Sequence, residues 1–306
     1  MHSLLRGNAL FALAAAGLWG GGDFSGGMGV KTAGGGVRAA LRVVLLSHAM
    51  SFVALVAIAM LRGDAFPRGA QLAWGIGAGV AGGLSLTCFY LALSHGAMGP
   101  SAAVSGLLAA AIPAGVTLWR DGSPGLAPLA GFAVAGAAIW LIAAGAPEAL
   151  ETVGQPPDAR DARRGHTMAL AVLAGVGFGV YFVALKMAGP AGVVWPMATA
   201  RMGSLGVCAL ILFGMTVRRR IAGEARVTLG RRAVGWVMAA ALLDTSGNLL
   251  FLAATRAGRL DVAAVLASLY PASTILLAAL ALGERPTRRQ AWGMLTAVLA
   301  VVLIAT

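Results

Sequence analysis

Apolar residues run along this chain in long blocks, and the polar residues gather in the short gaps between them. Each block approaches the roughly 20 residues that a helix needs to cross about 30 Å of hydrocarbon. Only a helix or a closed barrel pairs all its backbone groups in that medium. The pattern predicts ten helical spans, at 8–29, 39–61, 70–94, 97–118, 125–145, 168–188, 193–216, 233–256, 260–282 and 290–305. The longest gap, "PEALETVGQPPDARDARRGH", mixes prolines with charges of both signs, as a solvated linker does. The expected organisation is a five-helix unit over 1–146, a linker over 147–167 and a second five-helix unit over 168–306. The start, "MHSLLRGNALFALAAAGLWGGG", resembles a secretion signal. Its apolar part is long and nine spans follow, so it reads as a retained first helix.

Composition agrees with the pattern. Hydrophobic residues make up 59% of the chain, charged residues 11%, and the mean hydropathy is +0.84. A soluble domain is about half apolar and a quarter charged, so the fold class expected is an all-α, multi-pass membrane protein. The net charge of +12 is spread over the gaps between spans and forms no basic domain with interleaved aromatics, which argues against a nucleic-acid partner. Cys88 and Cys208 fall inside predicted helices, too far apart to suggest a disulfide framework or a metal site. No phosphate-binding loop, HExxH pair or nucleophile elbow occurs, so neither cofactor nor metal is expected. The 44 glycines suit closely packed spans, in which small residues let backbones approach.

The two halves repeat one another. At an offset of 159, Leu18, Trp19 and Gly20 face Gly177, Phe178 and Gly179, and Arg42 falls on Arg201. At 161, "FYLALSHGAMGPSAAVSGL" lies over "LFLAATRAGRLDVAAVLASL". Five helices per half is an odd number, so the second half starts from the opposite side of the membrane and the repeat is inverted. Secondary transporters are built in this way, with the site near the midplane where the halves meet.

The Trp-Gly of the first helix, the Arg of the second and "YPASTILLAALALGERPTRRQAWG" (Tyr270 to Gly293) resemble the EamA-type ten-helix branch of the drug/metabolite transporter superfamily. The resemblance extends over nearly the whole chain, although Pro113 is followed by "LWRDGSPGLAPLAG" where the second half has its Gly-Glu-Arg signature. It implies a ten-helix fold, export of small metabolites and both termini in the cytoplasm. The nearest functional analogue is the bacterial aromatic amino-acid exporter (YddG) group.

Of the eleven acidic residues only Asp23 and Asp244 fall well inside a span. A charge at that depth costs about 2.5–3.5 kcal/mol on insertion scales, so each should face protein or water rather than lipid. In "AALLDTSGNLLFL" (240–252), Asn248 and Phe251 follow Asp244 on the same helical face. One reading makes Asp244, Asn248 and Phe251 a stripe facing a wet pocket, where Asp244 binds a substrate ammonium or a coupling proton. The other has a protonated Asp244 joining two helices by a hydrogen bond, a contribution of roughly 0.6–2 kcal/mol. Trp19, Asp23 and Phe24 in the first helix, with Phe178, Tyr181 and Phe182 in the sixth, suggest an aromatic-walled chamber suited to cationic or aromatic substrates. Ser85, which matches Ser246 in the repeat, is a candidate polar neighbour of Asp244. Trp74, Trp140, Trp236 and Trp292 lie nearer span ends and read as interfacial residues. Arg42 and Arg201 read as helix-end or headgroup anchors, and Glu284 with Arg285 as the cap of the last hairpin.

Orientation divides the two lines of argument. Arg6, Arg62, Arg68, Arg120, Lys186, Arg256 and Arg259 lie on the side of the amino terminus. Twice as many basic residues lie opposite, with Arg42 and Arg201 set aside as buried, so the charge rule places both termini outside. The function expected is a secondary exporter of small metabolites, amino acids first and aromatic or bulky apolar ones among them, in a bacterial inner membrane. Its partners would be a small substrate, lipid and a coupling proton. Export of another metabolite or a cationic drug, an intramembrane enzyme using Asp23 and Asp244, and a passive channel remain the alternatives.

Overall fold

A computed structural model describes residues 2–95, 98–123, 125–144, 157–221, 230–282 and 287–305. Among them there is no strand. The helices are α1 (His2–Thr32), α2 (Gly36–Arg62), α3 (Ala70–His95), α4 (Met98–Asp121), α5 (Leu126–Ala144), α6 (Pro157–Ala188), α7 (Val194–Ile221), α8 (Arg231–Ala257), α9 (Leu260–Ala267), α10 (Tyr270–Leu282) and α11 (Arg288–Ala305). Six spans among the described residues are long and apolar enough to cross a membrane: 36–62, 70–95, 165–191, 194–218, 231–257 and 260–281. The surface is that of a protein in lipid. Leu61, Leu126, Leu210, Phe213 and Leu280 point outward, while Asn8, Asp23, His48, Arg201 and Asn248 are buried.

Two elements differ from the sequence reading. The span expected over 260–282 is divided at Ser268 and Leu269 into α9 and α10. Pro271 lacks the N–H that would bond the Ala267 carbonyl, and the Leu269 N–H reaches only Leu266, three residues back. The second half of the expected linker is also helical, because α6 opens at Pro157, a residue suited to a helix start. The rest of that linker, and Glu284 with Arg285, lie outside the described residues.

Helices of the first half pack on helices of the second: α1 on α8, α2 on α7, α3 on α6 and α7, α4 on α6, and α5 on α11. Glycine makes the closest crossings. Gly75, Gly79 and Gly83 recur every fourth residue on α3 and face Thr199, the Ala200 backbone and Ser204 of α7, where a Cβ at any of the three would collide. Gly177 of α6 meets Ser85 of α3 in the same way. The tight turn between α1 and α2 needs left-handed backbone at Gly34, Gly35 and Gly36, with φ of 90°, 75° and 79°. This packing brings α1, α2, α3, α6, α7, α8 and α10 around one cavity.

Candidate functional site

One wall of the cavity is polar. Arg201 on α7 and Asp244 on α8 form an ion pair, with Nη2 2.5 Å from Oδ2. Guanidinium nitrogens only donate, so the 2.8 Å contact between Arg201 Nη1 and His48 Nε2 makes that ring nitrogen an acceptor. Nδ1 of His48 then carries the proton and donates to Ser204 Oγ at 2.6 Å. On the other side of the pair, Asn248 Nδ2 donates to Asp244 Oδ1 at 2.8 Å, and Tyr181 Oη donates to Asn248 Oδ1 at 2.6 Å. A continuous hydrogen-bonded chain thus runs from Tyr181 through Asn248, Asp244, Arg201 and His48 to Ser204, joining α6, α8, α7 and α2. Arg201 Nε is buried without a partner among the described residues.

Asp23 stands apart from that chain. Its side chain lines the cavity and the residue is 8% exposed. No hydrogen bond or ion pair reaches its carboxyl among the described residues. The two carboxylates that line the cavity therefore differ: Asp244 is held by Arg201 and Asn248, and Asp23 has no partner among the described residues.

Another part of the lining is aromatic. Trp19 stacks on Phe182, with centroids 5.2 Å apart and planes 10° from parallel, and Tyr270 meets Trp19 edge-on at 6.5 Å. Gly247 lets the Trp19 ring lie against α8, since a Cβ there would meet the indole at 2.6 Å. Tyr270 begins α10 just after the helix break, and its hydroxyl is 2.7 Å from Ser105 Oγ on α4.

Seven of the residues singled out in the sequence for the chamber and the Asp244 stripe line this cavity: Trp19, Asp23, Phe178, Tyr181, Phe182, Asp244 and Asn248. Three do not. Phe24 turns away to meet Trp236 edge-on at 5.9 Å, because it lies a residue beyond the cavity-facing stripe of α1. Ser85 is spent on its own helix, with Oγ donating to Ala81 O at 2.7 Å. Phe251 is fully buried in a second layer, 5.4 Å from Trp19 and 4.6 Å from Phe182. Arg201 anchors no helix end: it is 3% exposed and inside α7. His48, Ser204 and Tyr270 were not found from the sequence. The signal for His48 was a ring nitrogen in the middle of the apolar run "VVLLSHAMS". Trp74, Trp140 and Trp292 are exposed, as interfacial residues are, whereas Trp236 is half-buried on Phe24.

Comparison with known proteins agrees with this architecture. A solved crystal structure of a protein matches 97% of this chain and 95% of its own, with a TM-score of 0.68 and 17% identity, a likeness of fold. No curated protein matches. The family match covers the half that holds Arg201, Asp244 and the Gly-Glu-Arg signature, and not the half in which that signature is lost. Residues 166–306 match the EamA-like transporter family.

Proposed function

We propose that the protein is a secondary exporter of small metabolites that works by alternating access in a bacterial inner membrane. In this reading the chain crosses the membrane ten times, and its halves, 1–146 and 168–306, form an inverted repeat. Amino acids are the leading substrate class, aromatic and bulky apolar ones first, with the aromatic amino-acid exporter group as the nearest analogue. The observation that carries the reading is a cavity lined from both halves, part of its lining aromatic and part charged. Such a cavity takes a molecule with an apolar body and a charged end, and moving one half against the other would open it to either side.

The arrangement favours transport over the catalytic alternatives. An aspartyl mechanism needs two carboxylates sharing a site, and Asp244 is occupied by Arg201 and Asn248. Ser204 accepts a hydrogen bond from His48 instead of donating one to it, the reverse of what an activated nucleophile requires. The test is counterflow in proteoliposomes, using labelled amino acids, nucleosides, sugars and quaternary amines without nucleotide. Accumulation of label against an internal unlabelled pool is the expected result, and a requirement for ATP would overturn the reading. A reporter fused at Thr306, active on only one side, decides between the charge rule and the family for the termini.

A further inference from the structure

The proposed exporter reading leaves open which part of the substrate the cavity recognises, and the inference here rests on that reading. Four strongly charged or basic groups line the cavity: Asp23, His48, Arg201 and Asp244. Three are engaged with each other. Arg201 gives Nη2 to Asp244 and Nη1 to His48, and its remaining Nε is sealed from the cavity. The guanidinium would ordinarily be the group to bind a substrate carboxylate, but here Asp244 balances its charge, His48 and Asp244 each take one of its five N–H donors, and Nε is buried. With Arg201 balancing Asp244, the walls keep one uncompensated acid, Asp23, which is more than nine-tenths buried and has no partner among the described residues. Ionising a buried carboxyl that has no partner is costly, so an occupant that brings a positive charge is what makes the ionised form favourable. Trp19 precedes Asp23 by one helical turn on the same face of α1, and its ring suits both an apolar group and a cation.

We propose that Asp23 binds the substrate's ammonium group and that a substrate carboxylate is not required. The ligand class is a small primary amine with an aromatic or bulky apolar body, whether or not it also carries a carboxylate. Amino acids enter this class through their amine. His48 and Ser204 act as positioning residues that keep Arg201 on Asp244 and withhold it from the substrate.

Three matched probes separate the possibilities: phenylalanine, phenethylamine, which lacks the carboxylate, and 3-phenylpropionate, which lacks the amine. Each is tested as a competitor of whichever labelled substrate the counterflow screen finds, in wild-type protein and in Asp23→Asn. Phenethylamine should compete at least as well as phenylalanine and 3-phenylpropionate should not compete. Asp23→Asn should weaken both amines by roughly thirtyfold or more, the loss expected when one partner of a desolvated charge pair is removed. His48→Leu, which frees the Nη1 donor of Arg201 without touching Asp23, should let 3-phenylpropionate compete. Competition by phenylalanine but not phenethylamine, competition by 3-phenylpropionate in the wild type, or unchanged amine affinity in Asp23→Asn would each overturn the assignment and leave the exporter reading standing. So would failure of all three probes against a substrate that is transported. Absence of counterflow for every class in the screen overturns the exporter reading itself.

Discussion

Arg201 and Asp244 are 43 residues apart in the chain, on α7 and α8, and meet at 2.5 Å inside the protein. The pair answers why a carboxylate is tolerated in "AALLDTSGNLLFL". Each charge balances the other, Asn248 donates to the carboxylate and His48 accepts from the guanidinium. Neither sequence reading of Asp244 anticipated this, since one left the acid open to substrate and the other made it a neutral glue.

Breaking such a pair leaves a buried charge uncompensated, which costs about 3–5 kcal/mol. Asp244→Asn and Arg201→Met should therefore each lower the melting temperature of purified protein strongly, as well as abolishing counterflow. The double variant Arg201→Met with Asp244→Leu removes both charges and should recover most of the stability without recovering transport. A double variant as unstable as the singles would show that the pair is not an isolated electrostatic unit.

His48 is coupled to the pair through one nitrogen. Replacing it by Leu leaves the Arg201 Nη1 donor buried and unmatched, a loss of about 1–3 kcal/mol. His48→Gln keeps an acceptor within reach and should lose less. Thermal unfolding of both variants in detergent checks the order. Equal destabilisation would mean that ring packing rather than the hydrogen bond to Arg201 is what His48 contributes.

Much of the fold was legible because hydropathy and helix length are tied by the thickness of a bilayer. The break at Ser268 and Leu269 was not, although Pro271 was visible, because Pro113 stands within an unbroken α4. Proline removes a hydrogen bond wherever it sits, and tertiary packing decides whether the helix bends or parts. Among site residues, Asp23 and Asp244 were found by being costly in lipid, and Trp19 by its aromatic ring one helical turn before Asp23. Arg201 carried the same signal, but its match with Arg42 in the repeat led to a structural reading for both. The partner choice between Asp23 and Asp244 needed three dimensions, since only the crossing of α7 with α8 sets which acid Arg201 meets.

The α3 glycines make a sharper stability test than their number suggests. A Cβ at Gly79 would run into the Ala200 backbone, whereas one at Gly77 meets nothing within 4 Å. Gly79→Ala should cost roughly 1–3 kcal/mol by forcing α3 and α7 apart. Gly77→Ala should be neutral or stabilise by about 0.4–1 kcal/mol through the unfolded chain. Melting curves of the two single variants decide, and equal effects would mean that α3 does not cross α7 at Gly79.

The aromatic wall separates residues that touch the ligand from residues that support the fold. Phe178 and Tyr181 line the cavity, while Phe24 lies outside it against Trp236. A ring in contact with the substrate contributes about 0.5–1.5 kcal/mol per aromatic partner, which is roughly two- to twelvefold in affinity. Phe178→Ala should therefore weaken competition by an aromatic substrate by about that factor while leaving a small aliphatic one nearly unchanged. Tyr181→Ala should do the same and also release Asn248 from its 2.6 Å hydrogen bond, adding a loss shared by all substrates. Tyr181→Phe keeps the ring and isolates that second effect. Phe24→Ala empties packing space instead, at about 3–5 kcal/mol of stability for a buried Phe, and should reduce folded protein without changing the ratio of large to small substrates. Competition assays normalised to folded protein read the ratio directly. A size-dependent loss in Phe24→Ala, or a uniform one in Phe178→Ala, would mean that the substrate does not rest against the wall where Trp19, Phe178 and Tyr181 converge.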